Sequence, residues 1–218
     1  MSNPVVLVVG AGPGVGASVA RVFGRAGHAV ALVGLDPDVL QELGRSLHDE
    51  GIEARWSAVD ITDEDAFASV VTAVGEEAGR IDVLHFNPSA FRHRSPLELT
   101  PAELARDVGL GVGALLTAVQ AARPFMSSGG RVTATGSMAA DKPWNEAASL
   151  GVQKAGLRNL VHSLDVTLKP DGIRAVSVTV RGTLATEGAF TPDRVAAAIF
   201  DAAAQDETAW RSEVPYSG

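Results

Sequence analysis

Ser137 and Lys154 carry a hydroxyl and an amine, two groups that could take part in chemistry. Ser137 comes shortly after Gly130–Thr135, an apolar run typical of a strand, and Lys154 lies within a long helical run, Ala147–Leu168. A hydroxyl can donate a hydrogen bond to an oxygen on which charge develops, and a buried lysine can hold or release a proton near neutral pH. Taken singly, the two residues are more typical of a turn serine and a surface lysine, so their meaning depends on their surroundings.

A glycine-rich turn near the N-terminus indicates a second kind of chemistry. The stretch Val5–Gly16 reads VVLVVGAGPGVG, a short apolar strand followed by closely spaced glycines and then by a helical segment. This order places the N-terminus of a helix, with its unpaired N–H groups, where it can bind a pyrophosphate. A plain strand–helix turn is the alternative interpretation. The residues predicted to contact a dinucleotide here are Gly10, Gly12, Gly14, Val15 and Gly16.

Strand-like and helical runs alternate along the whole chain. Repeated β–α units with buried, valine-rich strands favour a parallel sheet with helices on both faces. We therefore predict a single doubly wound, Rossmann-like α/β domain over residues 1–218, with six to seven strands. The predicted strands are Val5–Val9, Ala29–Val33, Glu53–Val59, Ile81–Phe86, Gly130–Thr135, Ile173–Val180 and Arg211–Pro215. The predicted helices are Val15–Arg25, Pro37–Glu50, a helix capped by Thr62 that ends near Ala78, a helix capped by Thr100 that ends near Met126, Ala147–Leu168 and a helix from Thr191 to about Gln205.

The predicted sheet also locates the ligand site. In open α/β sheets, ligands bind at the carboxyl ends of the strands, near the point where the strand order reverses. The segments that this rule gathers around one crevice are Gly10–Gly16, Gly34–Asp36, Asp60, Asn87–Ala90, Ser137 and Arg181–Thr186.

The composition limits the classes of function. The 218 residues carry a net charge of −8, which gives no electrostatic reason to bind nucleic acid or an anionic membrane. The chain has no cysteine, which excludes disulfides, thiolate metal sites and a cysteine nucleophile. Its N-terminal apolar run is too short for a signal peptide or a membrane span. We expect a cytoplasmic protein that acts on a small molecule without a metal site.

The motifs together resemble the short-chain dehydrogenases/reductases over nearly the whole chain. Gly10, Gly14 and Gly16 match the G-x-x-x-G-x-G turn of that family. The later cofactor elements match in order and spacing, although several residue types depart from the usual ones. Asn87 falls in the family's N-N-A-G element, Asp60 at the aspartate after the third strand, and Gly182 at the proline-glycine after the sixth.

The resemblance implies that NAD or NADP binds. Members that use NAD usually carry an acidic residue at the end of the second strand, whereas members that use NADP carry a basic residue there or in the glycine turn. Here Leu35 and Asp36 follow that strand and no basic residue does, which mildly favours NAD. Asp36 could equally begin the next helix. Further cofactor contacts implied by the resemblance are Ile61, Lys154 and Thr183.

The catalytic residues of the family are only partly present. The family reduces carbonyls with an asparagine, a serine, a tyrosine that donates the proton, and a lysine. The alignment places the serine at Ser137 and the lysine at Lys154, but the tyrosine position at Leu150 and the asparagine position at Gly111. General acid catalysis contributes about 10²–10⁴-fold in rate, and neither leucine nor serine is an acid near pH 7. The sequence therefore predicts an atypical member.

Other groups could replace the missing proton donor. Lys154 itself could donate a proton if burial lowered its pKa. The remaining candidates are His93, Asp141, Glu146 and the single tyrosine, Tyr216, whereas His85 is expected to pack within its strand. Gly111 has two interpretations, as relief at a helix kink or as room for a water or substrate atom.

The substrate region is short. Only Gly182–Thr191 separate the sixth strand from the last helix, where the family usually inserts a helical lid, and Thr186 could touch the cofactor. The expected apolar walls are Phe91, Met138, Trp144 and Phe190.

Three functions follow as hypotheses. The first is an atypical NAD(P)-dependent oxidoreductase acting on a carbonyl, imine or alcohol. The second is a non-redox isomerase, cyclase or lyase on the same scaffold, and the third is a catalytically silent dinucleotide-binding protein. The resemblance also implies a homodimer or homotetramer formed through the helices at about Ala105–Met126 and Ala147–Leu168.

Overall fold

The computed structural model describes residues 3–218 as a three-layer α/β fold built on one seven-stranded sheet. All strand pairs are parallel, in the order β3-β2-β1-β4-β5-β6-β7. The strands are β1 (Val5–Val9), β2 (Ala29–Gly34), β3 (Ala54–Ala58), β4 (Val83–Phe86), β5 (Arg131–Ser137), β6 (Arg174–Val180) and β7 (Glu213–Tyr216). The α-helices are α1 (Val15–Arg25), α2 (Pro37–Asp49), α3 (Glu64–Ala78), α4 (Pro101–Val108), α5 (Ala114–Ala122), α6 (Ala148–Leu168) and α7 (Pro192–Ala203). The predicted Rossmann-like fold class is therefore confirmed.

The strand order reverses at β1, which has β2 on one side and β4 on the other. Val9, the last residue of β1, lies beside both Val33 of β2 and Phe86 of β4. The glycine turn after β1 and the loop after β4 therefore leave the sheet side by side. A crevice at this position is where doubly wound sheets bind their ligands.

Side chains along each strand alternate between the two faces of the sheet, so the core consists of two hydrophobic clusters. Val6 and Val8 face a cluster with residues of α1, α2 and α7, whereas Leu7 and Val9 face a cluster with residues of α3, α5 and α6. Burial on both faces explains why the strands read as continuous apolar runs rather than as alternating ones.

Several predicted bounds differ from the observed ones by one or two residues, and two of these differences have an identifiable cause. Asp63, not Thr62, caps α3, since its Oδ1 accepts from the N–H of Ala66 at 3.1 Å, while Thr62 is bound to Asp60 instead. Strand β5 does not end at Thr135. Its pairing with β6 continues through Gly136 and Ser137, so Ser137 is the last residue of the strand rather than a residue after it.

The long helix predicted from Thr100 to about Met126 is interrupted. Thr100 and Glu103 form the expected capping box at its start. A π-helical turn, Gly109–Gly113, then separates α4 from α5, and a short 3₁₀ turn, Arg123–Phe125, ends the run. By length and composition alone, the run Pro101–Phe125 is apolar enough to span a membrane, and 33% of its most apolar window is buried within the fold.

Candidate active site

Two glycines of the glycine turn are closely packed, and two others face open space. A Cβ at Gly16 would lie 2.7 Å from the carbonyl oxygen of Gly10, and one at Gly10 would lie 2.9 Å from the ring of Pro88. At Gly12 and Gly14 a Cβ would meet nothing within 4 Å, and Gly14 has a φ of 103°. Gly14 begins α1 without a side-chain cap, and Val15 forms its first turn. The exposed backbone at a helix N-terminus fits the pyrophosphate of a dinucleotide.

The residues after β2 and β3 make local turns at the same edge of the sheet. Asp36 caps α2, because its Oδ1 accepts from the N–H groups of Asp38 at 2.9 Å and Val39 at 3.2 Å. The interpretation of Asp36 as a helix start is therefore correct, and only one of its carboxylate oxygens makes these bonds. Leu35 beside it is exposed.

Asp60 is exposed after β3 and accepts from both the N–H and the hydroxyl of Thr62, at 2.9 and 2.7 Å. These bonds hold the pKa of Asp60 below its ordinary value, so this carboxylate stays ionised. Ile61 next to it is half-buried and packs against the core of the α3 layer.

Asn87 connects three strands at the switch point. Its Nδ2 donates to the carbonyl of Gly10 at 3.2 Å, and its Oδ1 accepts from the hydroxyl of Thr135 at 2.8 Å. The side chain therefore ties the ends of β1, β4 and β5 together beside the glycine turn.

Lys154 is buried against the end of β5. Only 5% of the residue is exposed, and its Nζ donates to the carbonyl oxygen of Thr135 at 2.8 Å. Burial lowers the pKa of Lys154 to about 8, because a charged ammonium loses its hydration there. Ser137 lies two residues further along the same strand and is half-exposed, with its Oγ accepting from the N–H of Ala139 at 3.2 Å. Both predicted catalytic residues therefore lie at the carboxyl end of β5, Ser137 as its last residue and Lys154 through its bond to Thr135.

A buried histidine lies below this site. His85 is completely buried, with Nδ1 2.9 Å from the hydroxyl of Thr133 and Nε2 3.3 Å from that of Thr135. Burial, and to a lesser extent the charge of Lys154, lowers the pKa of His85 to about 3. The imidazole is therefore neutral and structural, in agreement with the sequence prediction that it packs within its strand.

The space beside Gly111 is occupied, which corrects one of its two predicted roles. A Cβ on Gly111 would lie 2.5 Å from Oε1 of Gln153, so this carboxamide fills the volume that one interpretation assigns to a water or substrate atom. The other interpretation, a helix kink, agrees with the π-helical turn at Gly109–Gly113. Leu150 lies on α6 one turn before Lys154 and is half-buried.

The other candidates for the proton donor are a tyrosine, two carboxylates and a second histidine. The hydroxyl of Tyr216, on β7 and two strands from β5, donates to the carbonyl of Ala189 at 2.5 Å. Asp141 pairs with Arg158 at 2.6 Å, which lowers the pKa of the carboxyl. His93 and Glu146 are exposed. Both Tyr216 and Asp141 therefore bind partners outside the Ser137–Lys154 pair.

The segment after β6 folds back on the end of the sheet. The ring of Phe190 covers Gly182 closely and meets the ring of Tyr216 edge-on, with centroids 5.7 Å apart. Thr183 and Thr186 are exposed on this segment.

Of the predicted apolar walls, Phe91 and Trp144 remain accessible. Their exposed fractions are 60% and 45%, and their ring centroids lie 5.6 Å apart. Met138 is half-buried in the short turn after β5, and Phe190 packs against the core of the α1 layer.

Comparison with known proteins identifies the class. The family model for the short chain dehydrogenases matches residues 4–191. The cis-4-hydroxycyclohexanecarboxylate dehydrogenase of Sinomonas cyclohexanicum is 32% identical over 177 residues, which cover 80% of this chain and 71% of that protein. This chain therefore belongs to the short-chain dehydrogenase family. The relatives that it is similar to include oxidoreductases.

Solved structures agree with this assignment. A metagenomic short-chain oxidoreductase in complex with NADP is 28% identical, with a TM-score of 0.88 and coverage of 100% of this chain and 99% of that one. A short chain dehydrogenase from Burkholderia cenocepacia J2315, also in complex with NADP, is 25% identical, with a TM-score of 0.90 and coverage of 99% and 96%. These relatives support NAD(P) as the class of cofactor.

Sequence reasoning missed Gln153. The residue directly precedes Lys154 and lies one turn after Ser149, which placed it on α6 but not inside the protein. The only sequence signal was indirect: a large amide on one helix and an unexplained glycine, Gly111, on another. The contact between them depends on how the two helices pack.

Proposed function

We propose that this protein is an NAD(P)-dependent oxidoreductase that acts on a carbonyl, imine or alcohol of a small molecule. The observation that carries the proposal is the burial of Lys154 at the end of β5, two residues from Ser137 and at the same sheet edge as the glycine turn. The nicotinamide, when bound, supplies or accepts a hydride. Ser137 would orient the substrate oxygen with its hydroxyl, and Lys154 would hold the nicotinamide ribose.

The proposed site is atypical because Leu150 and Gly111 stand at the positions of the family's tyrosine and asparagine. Leucine cannot donate a proton, so this site favours a substrate that needs little acid catalysis, such as an iminium or an activated carbonyl. The ammonium of Lys154, with its pKa lowered to about 8, is the acid within the site that is closest to neutrality. Such a group can release a proton more readily than an ordinary lysine.

For the cofactor we propose NAD in preference to NADP. Asp36, which caps α2 shortly after β2 ends, presents a negative charge that would repel a 2′-phosphate and could accept from a 2′-hydroxyl. Leu35 beside it is uncharged and exposed. The NADP-bound relatives support NAD(P) as the class of cofactor. Comparison of the affinities for NADH and NADPH decides between NAD and NADP.

The test begins with titration of the protein with NADH and NADPH. Binding is detected by the change in intrinsic fluorescence and by the shift in melting temperature. Binding of either nucleotide is expected, and binding of neither would refute the proposal. A panel of ketones, imines and alcohols, including a hydroxycyclohexanecarboxylate, is then followed at the nicotinamide absorbance. Oxidation or reduction of at least one class is expected.

A gain-of-function variant tests the role of position 150. Leu150→Tyr supplies a phenol one turn before Lys154, and Leu150→Phe is its matched control, with the same ring and no hydroxyl. If the site is oriented as proposed, Leu150→Tyr raises ketone turnover about 10²-fold or more over Leu150→Phe. Equal rates in the two variants would contradict the placement of the substrate oxygen between Ser137 and position 150.

Leu150 also favours a second candidate function. A site that binds a dinucleotide but has an aliphatic group where a proton donor is expected could serve a non-redox isomerase, cyclase or lyase, or a catalytically silent binding protein. Nucleotide binding without absorbance change across the whole panel, in both the original chain and Leu150→Tyr, would favour this alternative.

We further propose that the protein forms a homodimer or homotetramer through α4, α5 and α6. Leu116 on α5 and Val152 and Val166 on α6 are exposed by 41%, 49% and 74%, and apolar surface of this kind is commonly covered by a partner. Sedimentation equilibrium should give a mass of two or four chains. Leu116→Glu should shift it toward the single chain, whereas a single-chain mass for the unchanged protein refutes the proposal.

A further inference from the structure

Gln153 joins helix α6 to the loop that follows β4. Its side chain is completely buried. Oε1 accepts from the N–H of Ala90 at 2.9 Å, and Nε2 donates to the carbonyl of Ala90 at 3.1 Å and to that of Ser149 at 3.2 Å. Two bonds to one residue fix both the position and the orientation of its backbone. Because the amide is buried, loss of either bond would leave polar groups unpaired.

Gly111 provides the room for this carboxamide. A Cβ at Gly111 would lie 2.5 Å from Oε1 and 3.0 Å from Cγ of Gln153. At Gly109 and Gly113, on the same π-helical turn, a Cβ would meet nothing within 4 Å. A neighbouring side chain therefore explains the middle glycine of the three but not the outer two.

The loop that Gln153 holds forms one wall of the crevice. At one end, Pro88 packs against Gly10 of the glycine turn, where a Cβ would lie only 2.9 Å from the proline ring. At the other end, Phe91 faces Trp144 across 5.6 Å. Ala90 lies between these two contacts, so a shift of its backbone would move both the cofactor side and the substrate side of the wall.

The far side of the loop is also anchored. Arg92 makes a paired contact with the buried carboxylate of Asp107, with Nε and one terminal nitrogen at 3.0 and 2.9 Å from its two oxygens. Gln153 and Arg92 thus hold the loop on either side of the exposed ring of Phe91. An aromatic ring that is exposed on a backbone fixed at both sides is a preorganised contact surface rather than a mobile one.

We propose that Gln153 is a positioning residue and that it forms one unit with Gly111: Gly111 admits the carboxamide, and the carboxamide holds Asn87–Phe91 in the shape that nucleotide and substrate require. This inference rests on the proposed function for its consequence on binding. Gln153 touches the loop and not the reacting atoms, so its effect reaches the site through Ala90.

The first test replaces the amide with an apolar side chain of similar size, Gln153→Leu. Hydrogen exchange is measured by mass spectrometry for a peptide covering residues 87–94, with a peptide from β6 as internal reference. The loop peptide is expected to exchange about tenfold faster or more, with β6 unchanged, and the affinity for the nucleotide that binds best should fall by a similar factor. Unchanged loop exchange, or faster exchange spread evenly over both peptides, overturns the proposal.

A second variant covers the case in which Gln153→Leu fails to fold. Gln153→Glu keeps the shape and the acceptor for the N–H of Ala90, but its carboxylate cannot donate to the carbonyl of Ala90. Burial raises the pKa of a carboxyl at this position above its ordinary value. Protonation then restores a donor, so loop exchange and nucleotide affinity should approach those of the unchanged protein as the pH is lowered from about 8 to about 5, compared at each pH. A difference that does not change with pH counts against the proposal.

The shared volume is tested by a double-variant cycle with a matched control. Gly111→Ala should lower the melting temperature, whereas Gly109→Ala, whose Cβ meets open space, should leave it unchanged or raise it. Gln153→Ser should lower the melting temperature of the original chain but raise that of Gly111→Ala, because it removes the clash. Effects that simply add would refute the shared volume.

The two proposals fail in different ways. If the unchanged protein binds neither NADH nor NADPH, the proposed function is wrong. If it binds a nucleotide and Gln153→Leu binds it equally well, only the role of Gln153 is wrong.

Discussion

The burial of Lys154 predicts an unusual dependence of stability on alkaline pH. Replacement of this residue by methionine keeps an unbranched apolar side chain and removes the charge. In the folded protein the pKa of Lys154 is lowered from 10.5 to about 8, which corresponds to about 3 kcal/mol at about 1.36 kcal/mol per pKa unit.

The direction of this pH effect on the free energy of unfolding follows from proton binding in the folded and unfolded states. Between pH 8 and 10.5 the folded protein has lost the Lys154 proton while the unfolded chain still holds it, so raising the pH favours the folded state. Below pH 8 both states are protonated and the full cost is present. Relative to Lys154→Met, the unchanged protein should therefore gain up to about 3 kcal/mol in free energy of unfolding as the pH rises through this range.

Urea unfolding measured by circular dichroism at pH 7 to 10.5, at one protein concentration, provides the assay. The quantity compared is the difference in free energy of unfolding between the two proteins at each pH, because other titrating groups then cancel. Lys169→Met is the matched control, since Lys169 is exposed at the end of the same helical run and its difference should stay constant with pH. A constant difference for Lys154→Met as well would refute the reasoning.

Three further results are expected. The pKa of His85 is lowered to about 3, so the free energy of unfolding should fall as the pH drops below 6.5, by about 3 kcal/mol near pH 4.5. In urea unfolding, the free energy of unfolding of His85→Val should fall less steeply over the same acidic range. Asp36→Asn keeps the cap on α2 but removes the charge, so nucleotide titration should show the preference for NADH over NADPH reduced about fivefold, with an unchanged melting temperature. Gly16→Ala places a Cβ 2.7 Å from the carbonyl of Gly10 and should abolish nucleotide binding by calorimetry, whereas tight binding in this variant would contradict the packed glycine turn.

Local patterns were sufficient to predict most of the fold. The bounds of β1 and α1 agree with the sequence because apolar runs and glycines mark both of them. The prediction failed where distant residues decide the outcome. The π-helical turn at Gly109–Gly113, packed beside the side chain of Gln153, interrupts a helix that reads as continuous. The predicted cap at Thr62 failed for a local reason instead, because Asp60 binds Thr62.

The candidate site could be predicted only through the resemblance to a family. That resemblance singled out Ser137 and Lys154, but the burial that lowers the pKa of Lys154 depends on tertiary packing. The side chain of Gln153 could not be placed from sequence, since nothing local shows that a helical amide points inward. Its contact with Gly111 joins two helices that are far apart in sequence and close in the fold.

The contact between Gly111 and Gln153 also restricts how this chain can change over evolutionary time. Any side chain introduced at residue 111 meets the carboxamide 2.5 Å from its own Cβ, so such a change is harmful while Gln153 is present. A shorter residue at position 153 must come first, and that step alone leaves the loop at Ala90 without its two hydrogen bonds. Both single steps are therefore disfavoured, and a lineage that has acquired this pair tends to keep it.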